Sequence, residues 1–214
     1  MTSSKKIITS VKNTYDAIDK EFSASRQYIW PDLKPFLDKV EPNSSVLDVG
    51  CGNGRLLLGL PEKINYTGLD ISRGLLNEAE RVHPNHKFCE SDITKKETWK
   101  HLPQYDYIFC IAVVHHLPTQ KDQLFVLKQI KEHLNLNGKV LITAWNLWQL
   151  KYLKYHLDIK TKLQNPHFVY IPFQNKPRFC FAMTAQYLRN LLQASNLKLS
   201  ITKSPHNYLL FTLP

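Results

Sequence analysis

Val46-Leu47-Asp48-Val49-Gly50-Cys51-Gly52-Asn53-Gly54, residues 46–54, is the stretch that decides the fold. Its first four residues read as a short strand buried on both faces. The three glycines at alternate positions let the backbone turn and come close to a ligand before a helix begins. The spacing G-x-G-x-G departs from the dinucleotide fingerprint G-x-G-x-x-G. Asp48, two residues ahead of the first glycine, is foreign to that fingerprint, so a nicotinamide cofactor is the weaker reading.

Working outward, short β-branched runs alternate with helical patterns from residue 45 to residue 145: SVLDV, RLLLGL, NYTGLD, SRGLLNEAERV, HKFCES, YDYIFCIAVV, TQKDQLFVLKQIKEHL and GKVLITAW. That alternation predicts a parallel sheet with crossover helices, an α/β fold. Ser72 and Thr119 stand where N-caps belong, Asp122 lies three residues past Thr119 as in a capping box, and Asn137-Gly138 is expected to close the helix after Leu134. A second strand ends in Gly68-Leu69-Asp70-Ile71-Ser72, where a carboxylate at the strand's carboxyl edge can accept from a ribose diol. A third ends in Ser91-Asp92-Ile93, where Asp92 could accept from an adenine amine while Ile93 packs on the ring. Any one of these acids alone reads as a helix cap. Three at successive strand ends beside a glycine loop point to a nucleoside-bearing ligand.

Before this core, residues 11–40 predict two short helices broken at Trp30-Pro31, with Val11, Tyr15, Ile18 and Phe22 on one face. After it, residues 146–183 lose the alternation and turn aromatic and basic. Thr184 to Ala194 resumes a helix, and LKLSIT and NYLLFTL follow with only Lys-Ser-Pro-His between them. So short a connection forces an antiparallel pair. The expected layout is one domain: a helical cap (1–43), a cofactor core (44–145), a substrate segment (146–183) and a terminal helix with a strand pair (184–214).

The 214 residues carry 28 Lys+Arg against 18 Asp+Glu, a net charge of +10. Residues 1–120 hold 15 basic and 15 acidic side chains, and 121–214 hold 13 and 3. A neutral front and a basic back suggest an anionic partner for the second part, nucleic acid foremost, with a lysine-rich solvated surface as the alternative. Residues 145–187 contain 10 of the 24 aromatics, including Trp145, Trp148, Tyr152, Tyr155, Phe168 and Phe173, interleaved with Lys151, Lys154, Lys160, Lys162, Lys176 and Arg178. They read either as stacking faces among cations for single-stranded RNA or as a lid over any acceptor. Cysteines at 51, 89, 110 and 180 have neither disulfide-framework nor zinc spacing, so no metal is expected. No apolar run long enough for a membrane span and no signal-peptide pattern occurs; a cytoplasmic protein is expected.

LDVGCGNG, GLDIS, SDI and IAVVHHL together resemble the successive motifs of class I S-adenosylmethionine-dependent methyltransferases over residues 44–145. The resemblance implies a Rossmann-like, seven-stranded, mostly parallel sheet with an antiparallel last strand and an N-terminal helical appendage. It implies S-adenosylmethionine as cofactor: Gly50, Gly52 and their neighbours hold the methionine moiety, Asp70 the ribose, and Asp92 with Ile93 the adenine, with Asp48, Cys51, Asn53, Ile71 and Ser72 also counted as cofactor-binding. Tyr15, Ala112 and His115 belong to the same cofactor side.

Tyr15-Asp16, Phe22-Ser23, Arg26 and Trp30-Pro31, then VYIPF at 169–173 and Pro177-Arg178-Phe179, are similar to elements of the tRNA wobble-uridine carboxymethyl methyltransferases. Where that family carries a histidine shortly after the arginine-aromatic pair, this chain has Cys180-Phe181. The likeness implies a tRNA partner and esterification of a carboxymethyl carboxylate, which is anionic at neutral pH and needs a cation to orient it rather than a base. Arg26 and Arg178 are the candidates, with Arg26 alternatively reaching the cofactor's carboxylate. His116 would be the proton acceptor were the acceptor a hydroxyl or amine, and one histidine of the His115-His116 pair could instead pack or cap. Family members also imply a small activator subunit. A small-molecule acceptor such as a quinone and a non-catalytic cofactor-binding module stay open as alternatives.

Overall fold

The computed structural model describes residues 3–212. Three helices, α1 (Ser3–Asp16), α2 (Asp19–Ala24) and α3 (Lys34–Leu37), precede β1 (Ser45–Val49). A 3-10 turn at Arg55–Gly59 leads into β2 (Asn65–Asp70), α4 (Arg73–Val82), β3 (Lys87–Glu90), α5 (Lys96–Trp99), β4 (Tyr105–Ile111), α6 (Gln120–Glu132) and β5 (Leu134–Trp145). A 3-10 segment, Leu150–His156, and α7 (Ile159–Gln164) come next, then β6 (Phe168–Phe173), β7 (Lys176–Phe181), α8 (Ala185–Ser195), β8 (Ser200–Lys203) and β9 (Asn207–Phe211).

The main sheet runs β3-β2-β1-β4-β5-β9-β8, with every pair from β3 to β5 parallel and both pairs made by β9 antiparallel. The expected antiparallel ending is therefore present. β1 is central, and Val46, Leu47 and Val49 are wholly enclosed because helices cover both faces. On one face, Val126, Leu127 and Ile130 of α6 pack with Leu188, Leu191 and Leu192 of α8; on the other, Leu33 and Leu37 pack with Leu56 and Leu76. The chain reverses its lateral direction between β1 and β4, and ligands in open α/β sheets bind outside the strand ends at such a point.

The helix starts follow the sequence signals. Ser72 Oγ accepts from the Leu75 N–H at 3.3 Å, and Thr119 Oγ1 accepts from the Asp122 N–H at 3.1 Å while donating to Asp122 Oδ2 at 2.6 Å. Three expectations need correction. The N-terminal segment holds three helices rather than two, and the first break falls at Ala17-Ile18, with Trp30-Pro31 in the loop before α3. α6 stops at Glu132, so Asn137-Gly138 lies inside β5, where the pairing with β4 shifts register between Tyr105 and Tyr107. Asn135 Nδ2 donates to Asp106 Oδ1 at 2.6 Å in that irregularity.

The third correction concerns the aromatic and basic segment, which contains a separate hairpin of β6 and β7. Gln174 (φ 44°) and Asn175 (φ 63°) form its two-residue turn, both left-handed as a type I′ turn requires. Tyr152 and Tyr155 pack against Leu147, Val169 and Ile171, and Phe168, Phe179 and Phe181 are buried. What faces outward is aliphatic and cationic: Leu150 (87 % exposed), Leu157 (76 %), Ile159 (73 %) and Leu163 (82 %), beside Trp148 (45 %) and the exposed Lys151, Lys154, Lys160 and Lys176. Of Trp145, Trp148, Tyr152, Tyr155, Phe168 and Phe173 only Trp148 is exposed, so the segment presents no row of exposed stacking faces.

Candidate active site

A cavity opens at the carboxyl ends of β1, β2 and β4, roofed by α1 and the loop after α2. Gly50, Gly52 and Gly54 have φ of 77°, 56° and 73°, so the loop takes a path closed to ordinary side chains. The Gly50 and Cys51 N–H groups both donate to the Leu69 carbonyl, at 2.7 and 2.9 Å, which ties the loop to the end of β2. A Cβ on Gly50 would overlap Val113 Cγ2. A Cβ on Gly52 would make only ordinary van der Waals contacts, with Leu75 Cδ1 at 3.8 Å and Phe22 Cε1 at 4.0 Å. Gly50, Cys51, Gly52 and Asn53 line the cavity, so a ligand in it can lie against this loop's backbone.

Asp70 accepts from the Gly52 N–H at 2.8 Å and from the Ser72 N–H at 2.8 Å, one on each oxygen. Burial pushes its carboxyl up, and these backbone donors pull it back. Each oxygen keeps a lone pair for a further donor, as a vicinal diol would supply. Asp92 Oδ1 accepts from Thr94 N–H (3.0 Å) and Thr94 Oγ1 (2.6 Å), which fixes the carboxylate beside the buried Ile93. Asp48 is enclosed, and burial raises its carboxyl to about 7 against the pull of the Tyr66 hydroxyl, which donates to Oδ2 at 2.8 Å. Ala112 holds φ +59° at the end of β4, where its N–H donates to Thr143 Oγ1 at 2.9 Å. Strain of this kind collects at ligand sites.

At the other end stand Tyr15, Phe22, Arg26, His116 and Trp145. His116 Nδ1 lies 2.6 Å from the Phe179 carbonyl, which can only accept, so Nδ1 carries the proton and Nε2 accepts from the Tyr15 hydroxyl at 2.9 Å. Burial holds this imidazole down to about 4 and pushes the Tyr15 phenol up to about 12. His116 is thus neutral with both nitrogens in use. Arg178 is 5 % exposed, its guanidinium 4.9 Å from the Trp145 ring centre and 5.0 Å from that of Phe173. Its Nε and Nη1 are buried without a hydrogen-bond partner, and it forms no ion pair among the described residues. Arg26 reaches the same Phe173 ring, at 6.0 Å, and is likewise without an acid.

The structure brings Tyr15, Arg26, Asp48, Gly50, Cys51, Gly52, Asn53, Asp70, Ile71, Asp92, Ile93, Ala112 and His116 together around one cavity. Ser72, His115 and Arg178 do not line it. Ser72 caps α4 and donates to Asp16 Oδ1 at 2.6 Å. His115 is enclosed and stacked on Trp145, its Nδ1 accepting from the Trp145 N–H at 3.4 Å. Arg178 stacks on the ring of Trp145, which does line the cavity. His115, His116 and Cys180 each bring a ligating atom within 4.8 Å of the others, yet the His116 nitrogens are occupied and burial pushes the Cys180 thiol up to about 12. That trio is core packing. Phe173, which both guanidiniums contact, stood out in the sequence as an aromatic of the basic segment and as the end of VYIPF, with no sign of those contacts, and the two residues between it and Lys176 were the signal for the hairpin.

The family model described as "Methyltransferase domain" matches residues 22–200. The tRNA (carboxymethyluridine(34)-5-O)-methyltransferase of Saccharomyces cerevisiae is 35 % identical over 144 residues, covering 65 % of this chain and 49 % of its own. The Arabidopsis thaliana protein of the same name is 31 % identical over 160 residues, covering 67 % and 37 %. This chain thus spans half or less of these two relatives. Among solved structures, the DhpI–SAM–HEP complex superposes over 100 % of both chains with a TM-score of 0.71 at 18 % identity, a likeness of fold.

Proposed function

Because the chain belongs to the methyltransferase domain family, as an S-adenosylmethionine-dependent enzyme, we propose that it esterifies a carboxylate, that of a carboxymethylated wobble uridine in tRNA. The observation that carries this reading is the pair of acid-free guanidiniums on the Phe173 ring, Arg26 in the cavity lining and Arg178 one ring beyond it, on Trp145. A buried cation with open donors is costly unless an anion arrives, and the planar fork of arginine matches a carboxylate. The state of His116 supports the same reading: at the acceptor end this neutral imidazole has its lone pair engaged by Tyr15 and is not a free base. A hydroxyl or amine acceptor would need that base, whereas a carboxylate does not.

The residues fit the cofactor. Backbone at Gly50–Gly52 with Asn53 and Asp48 would hold the amino-acid end, Asp70 and Ile71 the ribose, and Asp92 and Ile93 the adenine. Bound there, the cofactor supplies a sulfonium methyl whose transfer to a carboxylate oxygen leaves a neutral thioether and moves no proton. The protein's share is positioning and exclusion of water. Trp145 and Tyr15 close the acceptor end. His116, pinned to the Phe179 carbonyl, holds the hairpin against the core and so sets where Arg178 sits.

The test uses labelled cofactor with tRNA carrying the carboxymethyl group. A methyl ester releases its label as methanol in mild alkali; label that survives alkali, or enters only small-molecule extracts, refutes the assignment. No helix among the described residues is long and apolar enough to cross a membrane.

A further inference from the structure

A second cleft lies on the outer side of the glycine loop, between α2 and α4. Lys20, Arg26, Arg55 and Arg81 line it against one acid, Glu78, which is spent on Arg81 at 2.9 Å. Lys20, Arg26 and Arg55 form no ion pair among the described residues. Two buried polar atoms in its wall have no partner, Arg55 Nη1 and Ser23 Oγ. The Arg55 guanidinium is fixed 4.5 Å over the Trp30 ring. Burial, and then the charge of Arg26, lower Arg55 to about 10, against the pull of Asp48. The free protein therefore holds like charges together with donors unspent, an arrangement that an anion relieves.

We infer that this cleft is an anion subsite that seats a backbone phosphodiester of the RNA substrate next to the modified nucleotide. The inference rests on the RNA reading above. A phosphate offers acceptor oxygens for the Arg55 fork and the Ser23 hydroxyl together, while Lys20 adds an exposed charge at the rim. The cofactor's carboxylate is the other anion within reach, since Arg26, Asn53 and Arg55 border both cavities. The cofactor carries an ammonium and a sulfonium as well, so it adds positive charge overall and would leave Lys20 and Ser23 unserved. The neutral front of the sequence thus conceals a local concentration of cations. With most aromatic rings of residues 146–183 packed inward, phosphate contacts from this cleft and from the exposed Lys151, Lys154, Lys160 and Lys176 are the available source of RNA affinity.

The test measures binding of a tRNA anticodon stem-loop across a salt series for the wild-type chain, Lys20→Gln and Arg55→Gln, with S-adenosylhomocysteine affinity measured by calorimetry in parallel. Each variant should weaken RNA binding several-fold and lower the salt slope by about 1, while homocysteine-cofactor affinity holds. Lys20→Gln, exposed on α2, carries no folding risk, and it should methylate the free carboxymethyluridine nucleoside at the wild-type rate. Unchanged RNA affinity and slope in both variants overturn the subsite. Loss of S-adenosylhomocysteine affinity in place of RNA affinity also overturns it and assigns the cleft to the cofactor's carboxylate. A wild-type chain with no salt-dependent RNA binding refutes the RNA reading itself.

Discussion

Replacing Arg178 by methionine should separate function from stability. In the free protein this guanidinium pays for two open donors, about 1–3 kcal/mol each, and recovers about 0.5–2 kcal/mol from each of its stacking contacts on Trp145 and Phe173. These terms nearly cancel, so Arg178→Met should leave stability within about 1 kcal/mol, or about 2–4 °C in Tm for a chain of this size. With a carboxylate bound, the same group makes charge-assisted bonds worth about 1.5–3 kcal/mol each. Losing two of them costs about 3–6 kcal/mol, a fall of about 10²–10⁴-fold in kcat/KM. Arg178→Lys, which keeps the charge and loses the fork, should fall between. The assay pairs thermal melts with methyl-transfer kinetics. A large drop in Tm with activity lost in proportion would make Arg178 a structural cation; an undiminished kcat/KM would remove it from the acceptor site.

Acid should weaken the fold through His116. Its folded value, about 4, lies below the ordinary 6.5, so its contribution is complete above pH 6.5 and is lost as pH falls toward 4, by roughly 3 kcal/mol in all. Urea midpoints across that range check this, and a His116→Asn chain should show a flatter profile; identical profiles would count against it. Gly50→Ala should destabilise by about 1–3 kcal/mol, part from φ +77° and part from the Val113 clash. Adding Val113→Ala should return the clash portion alone, which denaturant titration can resolve, and no recovery would refute the steric account. Asp70→Asn should weaken S-adenosylhomocysteine by about 1–3 kcal/mol in calorimetry if its oxygens take the ribose hydroxyls; equal affinity would rule out that role.

The sheet and cofactor end were legible in the sequence because their determinants are local. A buried strand, a glycine turn and an acid recur within a few residues of one another, and Ser72 and Thr119 mark helix starts by their own side chains. The hairpin was harder to read. FVYIPF and KPRFCF are two residues apart, but Pro172 and Pro177 face each other across it, and prolines argue against a strand. Its turn also uses Gln174-Asn175 where glycine is usual. The acceptor end depends on meetings no local pattern encodes: His116 with the Phe179 carbonyl across 63 positions, and Arg26 with Arg178 around Phe173. The burial of His115 was hidden for the same reason, since only the folded position of Trp145 decides which histidine of the pair faces the cavity.

The β6–β7 hairpin shares no strand ladder with the seven-stranded sheet. The groups assigned to the methyl donor sit on strand ends that the whole fold must keep, whereas Phe173 and Arg178 ride on a piece joined to the core through His116 and a few aromatic faces. Drift in the segment from Phe168 to Phe181 could therefore give a lineage a new acceptor while its methyl supply stays as it was. Such an enzyme would change its customers without rebuilding its workshop.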